Sequence, residues 1–275
     1  MHRVAILIVN GFDRRGVFGD YAVEEARLHP WISLCLRQIE RHTRAGSYDV
    51  LVCDNSDLPE HRAILASHRQ VIVVPGGGDW AHHDSLDHLA GLAEDYDYLL
   101  SLDSDALPVR TGWLEELTAR LDSGARLAGI WRDEMEPTIR AFVHVSCLAL
   151  RRTDFVELRD RGISFARGML QDVGQNLTVQ MQKAGHRIDA LRRSNAWNPH
   201  FLLGGLYSDL IYHQGAGSRQ ARFWTSTDPA HDEAVRISLR DAAFTDLDRL
   251  VATLRGETDP RWLSRRALGF TAPDA

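Results

Sequence analysis

Four short apolar runs govern what this chain can become. They are residues 4–9 (VAILIV), 48–53 (YDVLVC), 70–74 (QVIVV) and 98–102 (YLLSL). Each is too short for a helix and ends in a turn signal: Asn10-Gly11, Asp54-Asn55, Pro75-Gly76-Gly77-Gly78 and Asp103-Ser104-Asp105. Runs that are apolar at nearly every residue predict strands covered on both faces, as in a parallel sheet. Helical patterns fall between them, over residues 30–43, 59–68 and 83–94. Pro30 opens the first, with Ile32, Leu36 and Ile39 at helical spacing. Strand and helix thus alternate at intervals of about 20–30 residues, which predicts an open, mostly parallel α/β sheet flanked by helices. Residues 11–29 show no clear period.

The second half is more mixed. It predicts helices over residues 111–121, 153–159 and 169–184, and strands over 127–131, 142–150, 187–191 and 207–213. A loop rich in Asn, Pro, Gly and aromatics occupies residues 194–205. From Pro229 the pattern is helical, with Leu239, Leu247, Leu250 and Leu254 on one face. The expected organisation is one α/β domain over residues 1–228, with a helical extension over 229–275 packed on it.

Composition narrows the function. A chain of 275 residues is long enough for a full core. Its net charge of −6 argues against a general nucleic-acid binder. No apolar stretch approaches the ~18 residues of a membrane span. Cys35, Cys53 and Cys147 are odd in number and widely spaced, which predicts reduced buried thiols and a cytoplasmic protein.

In open parallel sheets, ligands bind beyond the carboxyl ends of the strands. Those ends carry Asn10, Asp54, the Gly76 turn and Asp103-Ser104-Asp105. Two carboxylates just past a buried strand suit the holding of a divalent cation against a diphosphate, although a solvated turn or helix cap would read the same way. No Gly-x-Gly-x-x-Gly follows the first strand, so a dinucleotide site is not expected. His82-His83-Asp84 holds metal-ligand types, but neighbouring positions on a helix do not converge, so the cluster is read as ordinary.

Five segments, taken in order, carry a family resemblance: YDVLVCDNSD, YDYLLSLDSDALPVRTGWLEEL, CLALRRTDF, LQDVGQNLTVQMQKAGHRI and LIYHQGAGSR. Together they resemble a GT-A-fold glycosyltransferase of the family 2 type, an inverting, nucleotide-sugar-dependent group. The resemblance implies that Asp54 contacts the nucleotide base and Asp103 the ribose, and that Asp105 and His213 bind the metal. It further implies that Asp172, opening the helix after LQ, acts as base. Three features depart from that pattern: Gln171-Asp172 where the family carries Glu-Asp, a long segment over 11–29, and no clear Asn over 79–88.

Transfer from a nucleotide sugar expels a nucleoside diphosphate, and a divalent cation stabilises that leaving group. The expected cofactor is therefore Mn²⁺ or Mg²⁺. Asn10, Asp54, Asp103, Ser104 and Arg219 are the candidate nucleotide-sugar contacts, with Arg219 reaching the diphosphate. Trp197, His200 and Phe201 are the candidate acceptor contacts, since aromatic faces pack on sugar rings. Each has an innocent alternative: an Asx-turn for Asp54, a helix-dipole charge for Asp172, a surface guanidinium for Arg219, a hydrophobic clamp for the aromatic loop. The expected partners are a UDP-, GDP- or dTDP-linked sugar donor and an unspecified acceptor, with a homodimer as an option. No nucleic acid and no integral membrane association are expected. A retaining transferase, a sugar nucleotidyltransferase and a non-catalytic binding protein stay open as alternatives.

Overall fold

The computed structural model describes residues 3–11, 19–76, 80–134, 136, 139–166, 171–217, 220 and 227–263. The first half alternates as its apolar runs predict. Strand β1 spans Val4–Asn10, β2 Tyr48–Asp54, β3 Val71–Pro75 and β4 Tyr98–Leu102. Between them lie α1 (Gly19–Leu28), α2 (Trp31–His42), α3 (Pro59–Ser67) and α4 (His82–Leu92). The second half supplies β5 (Ala106–Pro108), α5 (Trp113–Asp122), β6 (Leu127–Arg132), β7 (Phe142–Arg151) and α6 (Arg152–Asp160). It continues with α7 (Gln175–Lys183), β8 (Ile188–Leu191), β9 (Gly205–Tyr207), β10 (Ile211–His213) and α8 (Pro229–Leu254).

Seven strands form one sheet in the order β3-β2-β1-β4-β7-β6-β8. The first four are mutually parallel, β7 runs antiparallel to both neighbours, and β6 and β8 are parallel. Along β1, Val4, Ile6 and Ile8 enter one hydrophobic cluster with α2, α5 and α8, while Ala5 and Leu7 enter the other with α4 and α7. The period-two alternation of a strand thus feeds two cores, one per face. This is why the run is apolar throughout.

The order β2-β1-β4 makes the β1/β4 boundary a point where successive connections diverge to opposite sides. Such a point opens a crevice beyond the strand ends, the place where open α/β sheets bind ligands. Asn10, Asp54 and Asp103 all stand at this carboxyl edge.

Three expectations are corrected. Residues 207–213 are not one strand but a hairpin, β9 and β10, whose turn residues Ser208 and Asp209 have φ of 49° and 54°. Leu210 N–H closes that turn on Tyr207 O at 2.9 Å, and two successive positive φ values are what a tight hairpin requires. The helix expected from residue 169 begins only at Gln175, because Gly174 (φ 73°) holds a left-handed N-cap. The unperiodic stretch over 11–29 contains α1. No helix among the described residues is long and apolar enough to cross a membrane. The three cysteines are buried and unbridged.

Candidate active site

Residues 103–105 leave β4 and turn at once into β5. Ala106 N–H bonds Asp103 O at 2.9 Å, and Asp103 N–H bonds Ser146 O on β7 at 3.2 Å. Strand β5 joins β10 in a small antiparallel sheet, where Ala106 is the register partner of His213. That pairing brings Asp105 Oδ1 to 3.5 Å from His213 Nε2. Asp105 Oδ2 accepts from Gly217 N–H at 2.9 Å, and Gly217 O accepts from Trp31 Nε1–H at 2.9 Å. A Cβ on Gly217 would lie 2.7 Å from the Asp105 carboxylate, so the backbone can approach only because this residue is glycine. Gly215 and Ala216 return the chain with φ of 68° and 53°. A left-handed alanine is a strained residue, and it stands three positions past His213.

Asp103, Asp105 and His213 each offer a ligand atom, and those atoms lie within 4.8 Å of one another. Donors bound to one ion at about 2.1–2.2 Å stand at most ~4.4 Å apart, so a small contraction would seat a cation. Two carboxylates and one imidazole are a hard set with one borderline donor, which suits Mn²⁺ at least as well as Mg²⁺.

The electrostatics concentrate on the same spot. Burial pushes the Asp103 carboxyl up from its usual range; His82 opposes the shift and Asp105 adds to it. His82 Nε2 faces Asp103 Oδ1 at 3.5 Å. One member of the discounted His82-His83-Asp84 cluster therefore does reach the site, while His83 turns to Asp84. His144, on β7, has its ring 6.0 Å from that of His213. Burial holds this imidazole well below its ordinary range, with the charges of Arg132 and His213 acting the same way. Its Nδ1 accepts from Ser146 N–H at 3.0 Å, so in the neutral ring the proton sits on Nε2. That nitrogen faces Asp172 Oδ2 at 3.8 Å.

Asp172 does not cap α7. It lies in the preceding turn, its N–H bonded to Gln175 Oε1 at 2.9 Å and its Oδ1 accepting from Val173 N–H at 2.8 Å. Oδ2 is the oxygen left toward the cleft, and the side chain is about half exposed (48 %).

At the β1/β2 end, Asn10 is buried and its Nδ2 donates to Asp54 Oδ1 at 2.9 Å. It also meets His61 Nδ1 at 3.1 Å, and His61 Nε2 donates to Ala26 O. Asp54 Oδ1 further accepts from Ser56 N–H and Oγ–H, at 3.1 and 2.7 Å. The Asx-turn is thus real, and it occupies Oδ1. Among the described residues, no hydrogen bond falls on Asp54 Oδ2. A small cleft joins Asn10 and Gly11 to Trp31 and Ser104. Arg219 lies outside the described residues.

The aromatic loop divides. His200 is buried; its Nδ1 accepts from Leu202 and Leu203 N–H, and its Nε2 faces Asp232 of α8 at 3.0 Å. Both ring nitrogens serve the scaffold, which removes His200 from the acceptor contacts. Trp197 packs against the larger core, with its N–H bonded to Leu254 O. Phe201 is exposed and lies on the His200 ring, centroids 4.6 Å apart.

Three side chains near the site went unread in the sequence, His144, Arg132 and Glu134, and a fourth, His82, was read as ordinary. Arg132 Nε donates to Glu134 Oε2 at 2.9 Å, and Tyr207 OH donates to Glu134 Oε1 at 3.0 Å. Burial would raise the Glu134 carboxyl, but Arg132 and these hydrogen bonds overcome it and hold the group below its usual range.

Comparison with known proteins gives the fold a class. No protein-family model and no curated protein sequence matches this chain. Among solved structures it is similar to mannosyltransferase PcManGT from Pyrobaculum calidifontis, in complex with GDP-Man and Mn²⁺, with a TM-score of 0.52 and 14 % identity. The match covers 98 % of this chain and 68 % of that one. It is also similar to TarS 1-349 of S. aureus, with a TM-score of 0.50, 13 % identity, and coverage of 98 % and 79 %. At such identities the likeness speaks for the fold: a GT-A-like glycosyltransferase fold, with a mostly parallel sheet flanked by helices.

Proposed function

We propose that this chain is a divalent-metal-dependent glycosyltransferase that moves a sugar, hexosyl in type, from a nucleoside-diphosphate donor to an acceptor hydroxyl with inversion. The observation that carries this reading is the convergence of Asp103, Asp105 and His213 at the β1/β4 crevice. The GT-A-like fold and the nucleotide sugar and Mn²⁺ held by the mannosyltransferase it resembles support it.

In this reading Asp105 and His213 hold Mn²⁺ or Mg²⁺, with Asp103 beside them on the ribose. The ion supplies electrostatic stabilisation of the departing diphosphate. Asp54 Oδ2 and Ser104 face the nucleotide, Asn10 fixes the Asp54 carboxylate, and Arg219 neutralises phosphate charge. Asp172 Oδ2 takes the acceptor proton as the hydroxyl attacks the anomeric carbon and the carbon–oxygen bond to the diphosphate breaks. His144, with its proton on Nε2, stands where it can orient that oxygen. Trp197 and Phe201 form the acceptor wall. Residues 1–228 carry the chemistry, and the extension over 229–275 braces it.

Calorimetry tests the metal assignment. UDP or GDP should bind only with Mn²⁺ or Mg²⁺, and Asp105→Ala should abolish that binding; metal-independent binding overturns the reading. Asp172→Asn should keep nucleotide binding and lower transfer by ~10²–10⁴-fold.

A further inference from the structure

Arg132 stands where β6 ends, opposite Phe142 in the β6/β7 register. Phe142 and His144 are two apart on β7 and share a face, their rings 5.7 Å apart. Arg132 therefore points to the same side of the sheet as His144, and the charge of Asp172 is close enough to act on it. Its side chain is only 17 % exposed. A guanidinium carries five N–H donors, and a buried one ordinarily has them matched. Here Nε alone is matched, on Glu134. Among the described residues, neither terminal nitrogen has a partner.

Neighbouring Arg193 shows what a purely structural arginine looks like in this molecule. It is as deeply placed, and it spends its terminal nitrogens on the carbonyl oxygens of His200, Phe201 and Leu203. Glu134 takes Arg132 through Nε alone, and its other oxygen accepts from Tyr207 OH. The groups facing Arg132 are Glu134, His144, Asp172, Tyr207 and Arg193, and none of them uses the terminal fork.

We propose that the Arg132 fork is an oxyanion subsite on the Asp172 side of the cleft, and that it binds a phosphate or carboxylate group of the acceptor. A planar fork takes two parallel N–H···O bonds from either group, which point charges such as lysine do not reproduce. The fork shares the sheet face of His144, whose Nε2 stands 3.8 Å from the carboxylate assigned as base, so the bound anion would set which acceptor hydroxyl meets Asp172. The acceptor assignment rests on the glycosyl-transfer reading; the existence of an anion site does not.

The test is titration of the full chain with inorganic phosphate and, separately, with acetate, followed by calorimetry and by arginine Nε–H NMR signals. The wild type should bind one anion with a shift of the Arg132 signal, and Arg132→Gln should weaken binding at least ~10-fold. Binding should persist when UDP and Mg²⁺ are saturating. A preference for phosphate points to a phosphorylated acceptor, and a preference for acetate to a carboxylated one. Equal affinity in Arg132→Gln overturns the site, and competition with UDP reassigns the fork to the donor diphosphate. If Arg132→Gln does not fold, Arg132→Lys retains the charge beside Glu134 and should still weaken anion binding while the melting temperature holds; unchanged binding there also overturns the proposal. Failure of UDP to bind with any metal would remove the donor reading and leave the anion result standing by itself.

Discussion

Gly217→Ala is the most informative single methyl group that can be added to this protein. The backbone there is not left-handed, so alanine meets no conformational penalty of its own. Its Cβ, however, would sit 2.7 Å from both Cβ and Oδ2 of Asp105, where ordinary contact begins at 3.4 Å. Because the Gly217 carbonyl is tied to Trp31, the segment cannot simply swing away. The carboxylate and the loop must separate by about 0.7 Å in a packed region, and a 2.9 Å hydrogen bond stretched by that much is no longer one. Loss of a hydrogen bond to a charged group costs about 1.5–3 kcal/mol. For a chain of this size that lowers the melting temperature by about 3–12 °C. A ligand oxygen displaced well beyond the ~0.2 Å tolerance of a metal site should weaken Mn²⁺ at least ~10-fold. Free Mn²⁺ counted by electron paramagnetic resonance measures this directly. Gly46→Ala is the control: its φ is 81° and nothing lies within 4 Å, so it should lose stability and keep Mn²⁺ affinity. If Gly217→Ala binds Mn²⁺ as tightly as the wild type, Asp105 does not hold the ion.

Two further outcomes follow from the buried charges. Glu25 of α1 accepts from Arg240 at 2.6 Å and Arg236 at 3.2 Å. Arg236 keeps Glu233 and Arg240 keeps Asp241 when Glu25 is removed, so Glu25→Ala should cost about 1.5–3 kcal/mol in chemical denaturation. His144 stays neutral in the fold while the unfolded chain takes up its proton near pH 6.5, so stability should fall as pH drops below about 6.5, by up to ~1.4 kcal/mol per pH unit for this group, and His144→Gln should flatten that part of the slope.

What could be read from the sequence was what local chemistry dictates. Strands β1 to β4 are apolar because both of their faces are covered, and each ends at a turn signal that also marks the ligand edge. Asp103 and Asp105 were found by that logic of position, and His213 by the family resemblance. The rest depends on partners distant along the chain. Helix α1 has a weak apolar stripe, because Glu25 faces Arg236 and Arg240 of α8 instead of a greasy core. Within the run 142–150, His144 and Ser146 are two polar interruptions, indistinguishable from tolerated ones until their neighbours are known. Arg132 and Glu134 read as ordinary surface charge after a strand, and only Tyr207, arriving from the hairpin, shows that they are enclosed. His200 looked like a sugar contact because its value to α8 lies in Asp232, thirty-odd positions on. Ser208-Asp209 lacked glycine, so the break between β9 and β10 left no strong mark.

The small sheet has a consequence for the time at which the site comes into being. Strand β5 waits for β10, and about a hundred residues separate them. At ~5–20 residues per second of synthesis, the two carboxylates emerge some 5–20 s before the imidazole that completes their set. During that interval the parallel half of the sheet can form, but the convergence of Asp103, Asp105 and His213 cannot, and neither can the Gly217 clasp on Asp105. In the proposed metal-dependent reading, capture of a cation by Asp105 and His213 is therefore a late event in the life of the nascent chain, and a chain stopped before residue 211 would carry the crevice without that imidazole.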